Sequence, residues 1–104
     1  MAPLDRAETI RRIRTALKAR SGKTWSVRGG SGTSWGWISI QSPPKRRVRD
    51  FMSQADCAEL AELLGVALVH DQGVSIPASD EYRREYVDRA EGREPSVVGT
   101  PYWD

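Results

Sequence analysis

Apolar residues at Ile10, Ile13 and Leu17 recur at i, i+3 and i+7, with Ala7 and Ala16 beside them, a spacing that predicts an amphipathic helix. Asp5 followed by Glu8 is a capping-box-like start, and Gly22 after Ser21 suits the left-handed position that ends such a helix. The period then changes from helical to twofold. Over Lys23–Arg28, Trp25 and Val27 fall on one face and Thr24, Ser26 and Arg28 on the other. After the Gly/Ser-rich stretch Gly29–Ser34, a second alternating run separates Gly36, Ile38 and Ile40 from Trp35, Trp37 and Ser39. Two strands joined by a loop are expected, with Ile38 and Ile40 turned toward Trp25 and Val27. Pro43 and Pro44 end the second strand because neither donates to a ladder.

Lys45-Arg46-Arg47-Val48-Arg49 follows as a basic connector. Ser53, with Asp56 three residues on, predicts the cap of a second helix that carries Cys57, Leu60, Ala61, Leu63 and Leu64 to a stop at Gly65. Val66–His70 and Gly73–Ile76 are short β-prone runs around Asp71-Gln72 and predict a second hairpin. Ser79 caps a third helix, with Asp80 and Glu81 favourable to its dipole, Tyr82, Tyr86, Val87 and Ala90 on one side, and Gly92 at its end. Val97, Val98, Tyr102 and Trp103 are apolar enough to predict an ordered tail. The order α-β-β-α-β-β-α predicts a two-layer α+β fold with three helices and about four mainly antiparallel strands.

The length of 104 residues matches one domain, expected to span residues 1–104 with a basic helix and hairpin over 1–50 and an acidic helix-hairpin-helix and tail over 51–104. Residues 1–50 hold twelve Lys/Arg against three Asp/Glu, a balance of +9, and residues 51–104 hold four against eleven, a balance of −7. Such asymmetry points to a polyanion partner for the basic part, or to halves that pack together and neutralise each other at their edges. No apolar run approaches the roughly 20 residues that span a bilayer. The segment 1–14 has no hydrophobic region of a secretory signal, and the lone Cys57 admits no internal disulfide. A cytoplasmic protein is expected, with no membrane partner.

Catalytic patterns fit poorly. Ser21-Gly22-Lys23-Thr24 ends like a phosphate-binding loop, but Leu17 stands where the first glycine belongs, and the order is helix then strand. The Gly29–Ser34 loop offers backbone N–H groups without a recognised glycine spacing. His70 and Asp71 are neighbours on a β-prone run and so point to opposite faces, while Cys57 lies on the apolar side of its helix. The acids Asp80, Glu81, Glu85 and Asp88 among Arg83, Arg84 and Arg89 read as a solvated helix face laced with i, i+4 pairs. No catalytic residue, metal or cofactor is expected.

The basic and aromatic residues form the more informative set. Arg28, Lys45, Arg46, Arg47 and Arg49 lie on the predicted hairpin and its exit loop and are the first candidates for phosphate contacts. Arg11, Arg12 and Arg14 on the first helix are second candidates. Trp35 and Trp37 either stack on bases or are covered by Tyr102 or Trp103 of the tail. Residues Ile10–Pro44, through Leu17-Lys18, Trp25-Ser26-Val27-Arg28, the Gly/Ser loop and Ile38-Ser39-Ile40, resemble a large polyvalent-protein-associated domain of phages and conjugative elements. That resemblance implies an accessory domain associated with mobile elements and carries no catalytic residues. The expectation is a non-enzymatic module that binds DNA or RNA without sequence specificity. The alternative is a protein-interaction or self-association module that uses its oppositely charged halves.

Overall fold

The computed structural model describes residues 4–30, 36–77, 79–96 and 98. The first helix, α1, spans Arg6–Ser21. The Asp5 side chain accepts the Glu8 N–H at 2.8 Å, and Gly22, at φ 73°, donates its N–H to the Lys18 carbonyl. This helix buries Thr9, Ile13 and Leu17. The Trp25 indole N–H then donates to Ser21 Oγ at 3.0 Å, which ties the helix end to the strand that follows.

Strands β1 (Ser26–Gly29), β2 (Ile38–Gln41) and β3 (Val74–Ile76) form an antiparallel sheet with β2 in the centre. Val27 pairs with Ile40, Arg28 with Ser39 and Gly29 with Ile38, while Ile38 pairs with Ile76 and Ser39 with Ser75. Val27, Ile38, Ile40 and Ile76 are all fully buried, as is Trp25 just ahead of β1, so the aliphatic set of β2 does face inward. The open side of β1 is covered from α1: Arg14 donates to the Val27 carbonyl and Arg6 to the Gly30 carbonyl, each at 2.7 Å. Gly29 makes this possible, because a Cβ there would occupy the space of the Arg6 guanidinium. Edge carbonyls satisfied in this way no longer offer a template to another strand.

Helix α2 (Gln54–Leu64) starts where Ser53 accepts the Asp56 N–H at 3.1 Å and ends at Gly65, φ 68°. Helix α3 (Asp80–Ala90) starts where Ser79 accepts the Tyr82 N–H at 3.2 Å. Leu60 and Leu64 of α2, and Val87 and Ala90 of α3, join Ile13, Leu17 and the sheet residues in one buried cluster. The carboxyl ends of α2 and α3 converge on two arginines. Arg20 donates to the carbonyls of Leu63, Arg89 and Ala90, and Arg89 to those of Leu64 and Gly65, so cations meet the negative ends of both helix dipoles.

Three expectations are corrected. The described residues hold three strands instead of about four, because Val66–Val69 pairs with nothing in the sheet. His70 and Gly73 form a single isolated bridge, and the Asp71 carbonyl accepts the Met52 N–H at 2.8 Å, which draws this segment toward the start of α2. Glu85 is buried instead of solvated, and its partner Arg89 lies at 2.9 Å. Val98 is 67% exposed instead of packed, while Val97, Tyr102 and Trp103 lie outside the described residues. The nearer part of the tail is held by polar contacts: Ser96 donates its N–H and its hydroxyl to Asp88, at 3.0 and 2.9 Å.

Candidate nucleic-acid interface

Strand alternation gives the sheet a second face of opposite character. Ser26 and Arg28 of β1, Ser39 and Gln41 of β2, and Ser75 of β3 all point away from the buried cluster. Arg28 and Ser75 are exposed, and Ser26, Ser39 and Gln41 half-buried. The N–H of Gly30 donates to the Trp37 carbonyl at 2.8 Å and carries the pairing one step further. Half-buried Trp37 therefore belongs to the same polar face as Ser39 and Gln41.

The basic connector builds a wall beside this face. Pro43 and Pro44 lead into a 3-10 turn over Pro44–Arg46. Val48 and Phe51 then exchange two backbone hydrogen bonds, both 2.9 Å, around Arg49 and Asp50. Arg49 and Asp50 take φ of 53° and 68°, positive at both central positions as in the tight turn that asparagine and glycine usually fill. Between this hairpin and the sheet lies a groove of about 720 Å³, lined by Ser39, Gln41 and Ser75, by Arg47, Arg49, Asp50 and Phe51, and by His70, Gln72 and Gly73.

The predicted cations divide into two groups. Arg11 bonds Glu8 at 2.5 Å, Arg12 reaches both carboxylate oxygens of Glu91 at 2.9 and 3.2 Å, and Arg14 is held by the Val27 carbonyl. Arg46 pairs with the buried carboxylate of Asp56 at 3.1 Å and lies over the Trp25 ring, 5.0 Å from its centroid. Lys23 also serves this acidic pair, 2.6 Å from Glu59 and 3.8 Å from Asp56. The basic and acidic halves thus do neutralise each other at their contacts, at Arg12–Glu91, Lys23–Glu59 and Arg46–Asp56.

Arg28, Lys45, Arg47 and Arg49 form the other group. Among the described residues their side chains make no ion pair or hydrogen bond. Arg28 stands on the polar sheet face, Lys45 is exposed on the 3-10 turn, and Arg47 and Arg49 line the groove. The Nε of Arg47 is buried with no hydrogen-bond partner. Trp35 lies outside the described residues. Phe51, 43% exposed on the groove wall, was not legible as a site residue, because only the Val48–Phe51 pairing brings it to the sheet.

Cys57 and His70 line a second groove of about 580 Å³ along α2. The contact between them runs from Sγ to the His70 main-chain carbonyl at 3.6 Å. Burial, reinforced by Asp71 and Asp56, pushes the thiol pKa up, which opposes formation of a thiolate. Among the described residues no group of three or more His, Cys, Asp or Glu is placed to hold a metal ion, and no helix is long and apolar enough to cross a membrane. No family model, curated protein or solved structure matches the chain.

Proposed function

We propose that this protein is a non-enzymatic module that binds nucleic acid through the polar face of its sheet and the adjoining Val48–Phe51 hairpin. The reading treats the fold as two layers, with the helices on the apolar side of the sheet and the polar side left to the ligand. One observation carries it. Among the candidate cations, Arg28, Lys45, Arg47 and Arg49 make no ion pair or hydrogen bond with the described residues, and all four lie on this face or on the turn and hairpin beside it. Cations so placed suit phosphates, which supply most sequence-independent affinity for nucleic acid. Serine hydroxyls and one glutamine amide on the face pair with any base, so base sequence is not read.

Fluorescence anisotropy with labelled 20-nucleotide DNA and RNA at low salt tests this. The wild type is expected to bind, and the Arg28→Ala/Arg47→Ala/Arg49→Ala variant to bind weakly. The slope of log affinity against log salt should become shallower by about 2–3, since each phosphate no longer neutralised removes roughly 0.7–0.9. A wild type that retains no DNA or RNA at low salt overturns the reading.

A protein-interaction module is the second reading. It is favoured by the exposed apolar side chains Val48 and Leu68, 73% and 69% accessible. The charge-driven form of that reading loses force where opposite charges already meet within the chain, as at Arg12–Glu91. Concentration-dependent association in sedimentation, insensitive to salt, is its signature.

A further inference from the structure

We infer that the ligand is single-stranded, and that one base enters the groove and stacks on Phe51 while the adjoining phosphates are held by Arg47 and Arg49. The inference rests on the nucleic-acid reading above and narrows it.

A surface that only gathers phosphates needs cations on a rim and no depth. This one has an open groove of about 720 Å³, large enough to take one base. An aromatic ring is displayed on its wall: Phe51 is 43% exposed, although water is the poorest solvent for it. In a duplex the flat faces of the bases are already covered by their neighbours, so Phe51 would have nothing to stack on. In a single strand every base has a free face, and stacking on an aromatic side chain is indifferent to sequence. Reading a duplex by its base edges also requires a helix or ribbon that enters a groove of the DNA, whereas the candidate surface here is itself recessed.

The polar groups in the recess suit an unpaired base and its backbone. Gln41 has its amide nitrogen tied to the Gln72 carbonyl at 2.8 Å, which leaves its carbonyl oxygen as an acceptor, and Ser39 and Ser75 add hydroxyls that donate or accept. Arg47 and Arg49 line this space without an ion pair or hydrogen bond among the described residues, so their guanidinium groups are available to phosphate oxygens. Asp50 also lines the groove, where its carboxylate can accept from a base amino group. Positive φ at both Arg49 and Asp50 is a strained way to turn a chain, and the turn sets Arg49 and Phe51 on one short hairpin closed by the Val48–Phe51 pair.

The test compares a labelled 15-nucleotide oligothymidine with a blunt duplex of the same length at one low salt concentration, using the wild type, Phe51→Ala and Phe51→Trp. The wild type is expected to bind the single strand at least about tenfold more tightly. Phe51→Ala should lower single-strand affinity by about 5- to 150-fold, the range measured for one base–aromatic stack, and lower duplex affinity by less. Phe51→Trp should restore it. Phe51 lies outside the buried cluster, and an unchanged thermal midpoint confirms that the variants are folded. Duplex bound as tightly as single strand, or Phe51→Ala with undiminished single-strand affinity, overturns the inference while the nucleic-acid reading stands. Absence of binding to either overturns both.

Discussion

Arg46 closes an ion pair on Asp56, Nε to Oδ2 at 3.1 Å, and does so across the face of Trp25, 5.0 Å from the ring centroid. The arrangement joins the 3-10 turn, α2 and the first strand region through one side chain. Asp56 is almost wholly buried and depends on its cations, because a buried carboxylate without them is strongly disfavoured. Lys23 stands only at 3.8 Å and compensates in part. Arg46→Ala is therefore expected to lower stability by about 1–3 kcal/mol, below the figure for a fully buried pair because Arg46 is itself partly solvated. Arg49→Ala, at an exposed position with no partner among the described residues, should shift it by less than about 0.5 kcal/mol. Urea unfolding of the two variants checks this, and equal losses would refute the division of the basic connector into structural and binding residues.

Gly73 sits where the turn after His70 meets β2, at φ 89°, and a Cβ added there would overlap the Ile40 carbonyl oxygen. Gly22, at φ 73°, has open space around the same position. Alanine at Gly22 is expected to cost about 1 kcal/mol through the left-handed backbone alone. Alanine at Gly73 adds an overlap with a central strand that cannot move aside, so a loss of about 2–4 kcal/mol is expected. Thermal unfolding of Gly22→Ala and Gly73→Ala distinguishes the two, and similar midpoints would show that the β2 contact does not matter.

The helices and the first two strands were legible because their signals are local. Asp5, Ser53 and Ser79 cap the helices they were expected to cap, and the alternation of Ile38 and Ile40 set the inward face of β2. The candidate interface was legible only in part, since charge counts do not show which cations have partners. Arg46 and Arg49 are three residues apart in one basic run. Only the long-range packing that buries Asp56 separates their roles. The Val48–Phe51 hairpin was hidden for a different reason. Its central residues are Arg49 and Asp50, where a tight turn of this kind is normally marked by asparagine and glycine, so the connector read as irregular and Phe51 went unplaced. The missing fourth strand is the converse case. Val66–His70 has β-prone residues, but the carbonyls where it ends, those of His70 and Asp71, are committed to Gly73 and Met52.

The carboxylates near the end of α3 couple the tail to pH. Burial alone would raise the pKa of Asp88, but hydrogen bonds from the Ser96 N–H, from Arg93 and from the Ser96 hydroxyl outweigh it and hold the carboxyl below its ordinary range. Glu91 is likewise opposed by burial and lowered by Arg12 and Arg93. A carboxyl depressed on folding binds its proton more readily in the unfolded chain, so acid favours unfolding. The contribution is fully present above the ordinary carboxylate pKa of roughly 4 and is lost as pH falls through the depressed values below it. Stability from this source should be level between about pH 7 and 5 and decline below about pH 4. Asp88→Asn/Glu91→Gln removes both titrations, so this variant should start less stable at neutral pH and lose less on acidification than the wild type. Urea midpoints at pH 6 and pH 3 for both proteins measure the difference, and equal acid losses would place the titrating groups elsewhere in the chain.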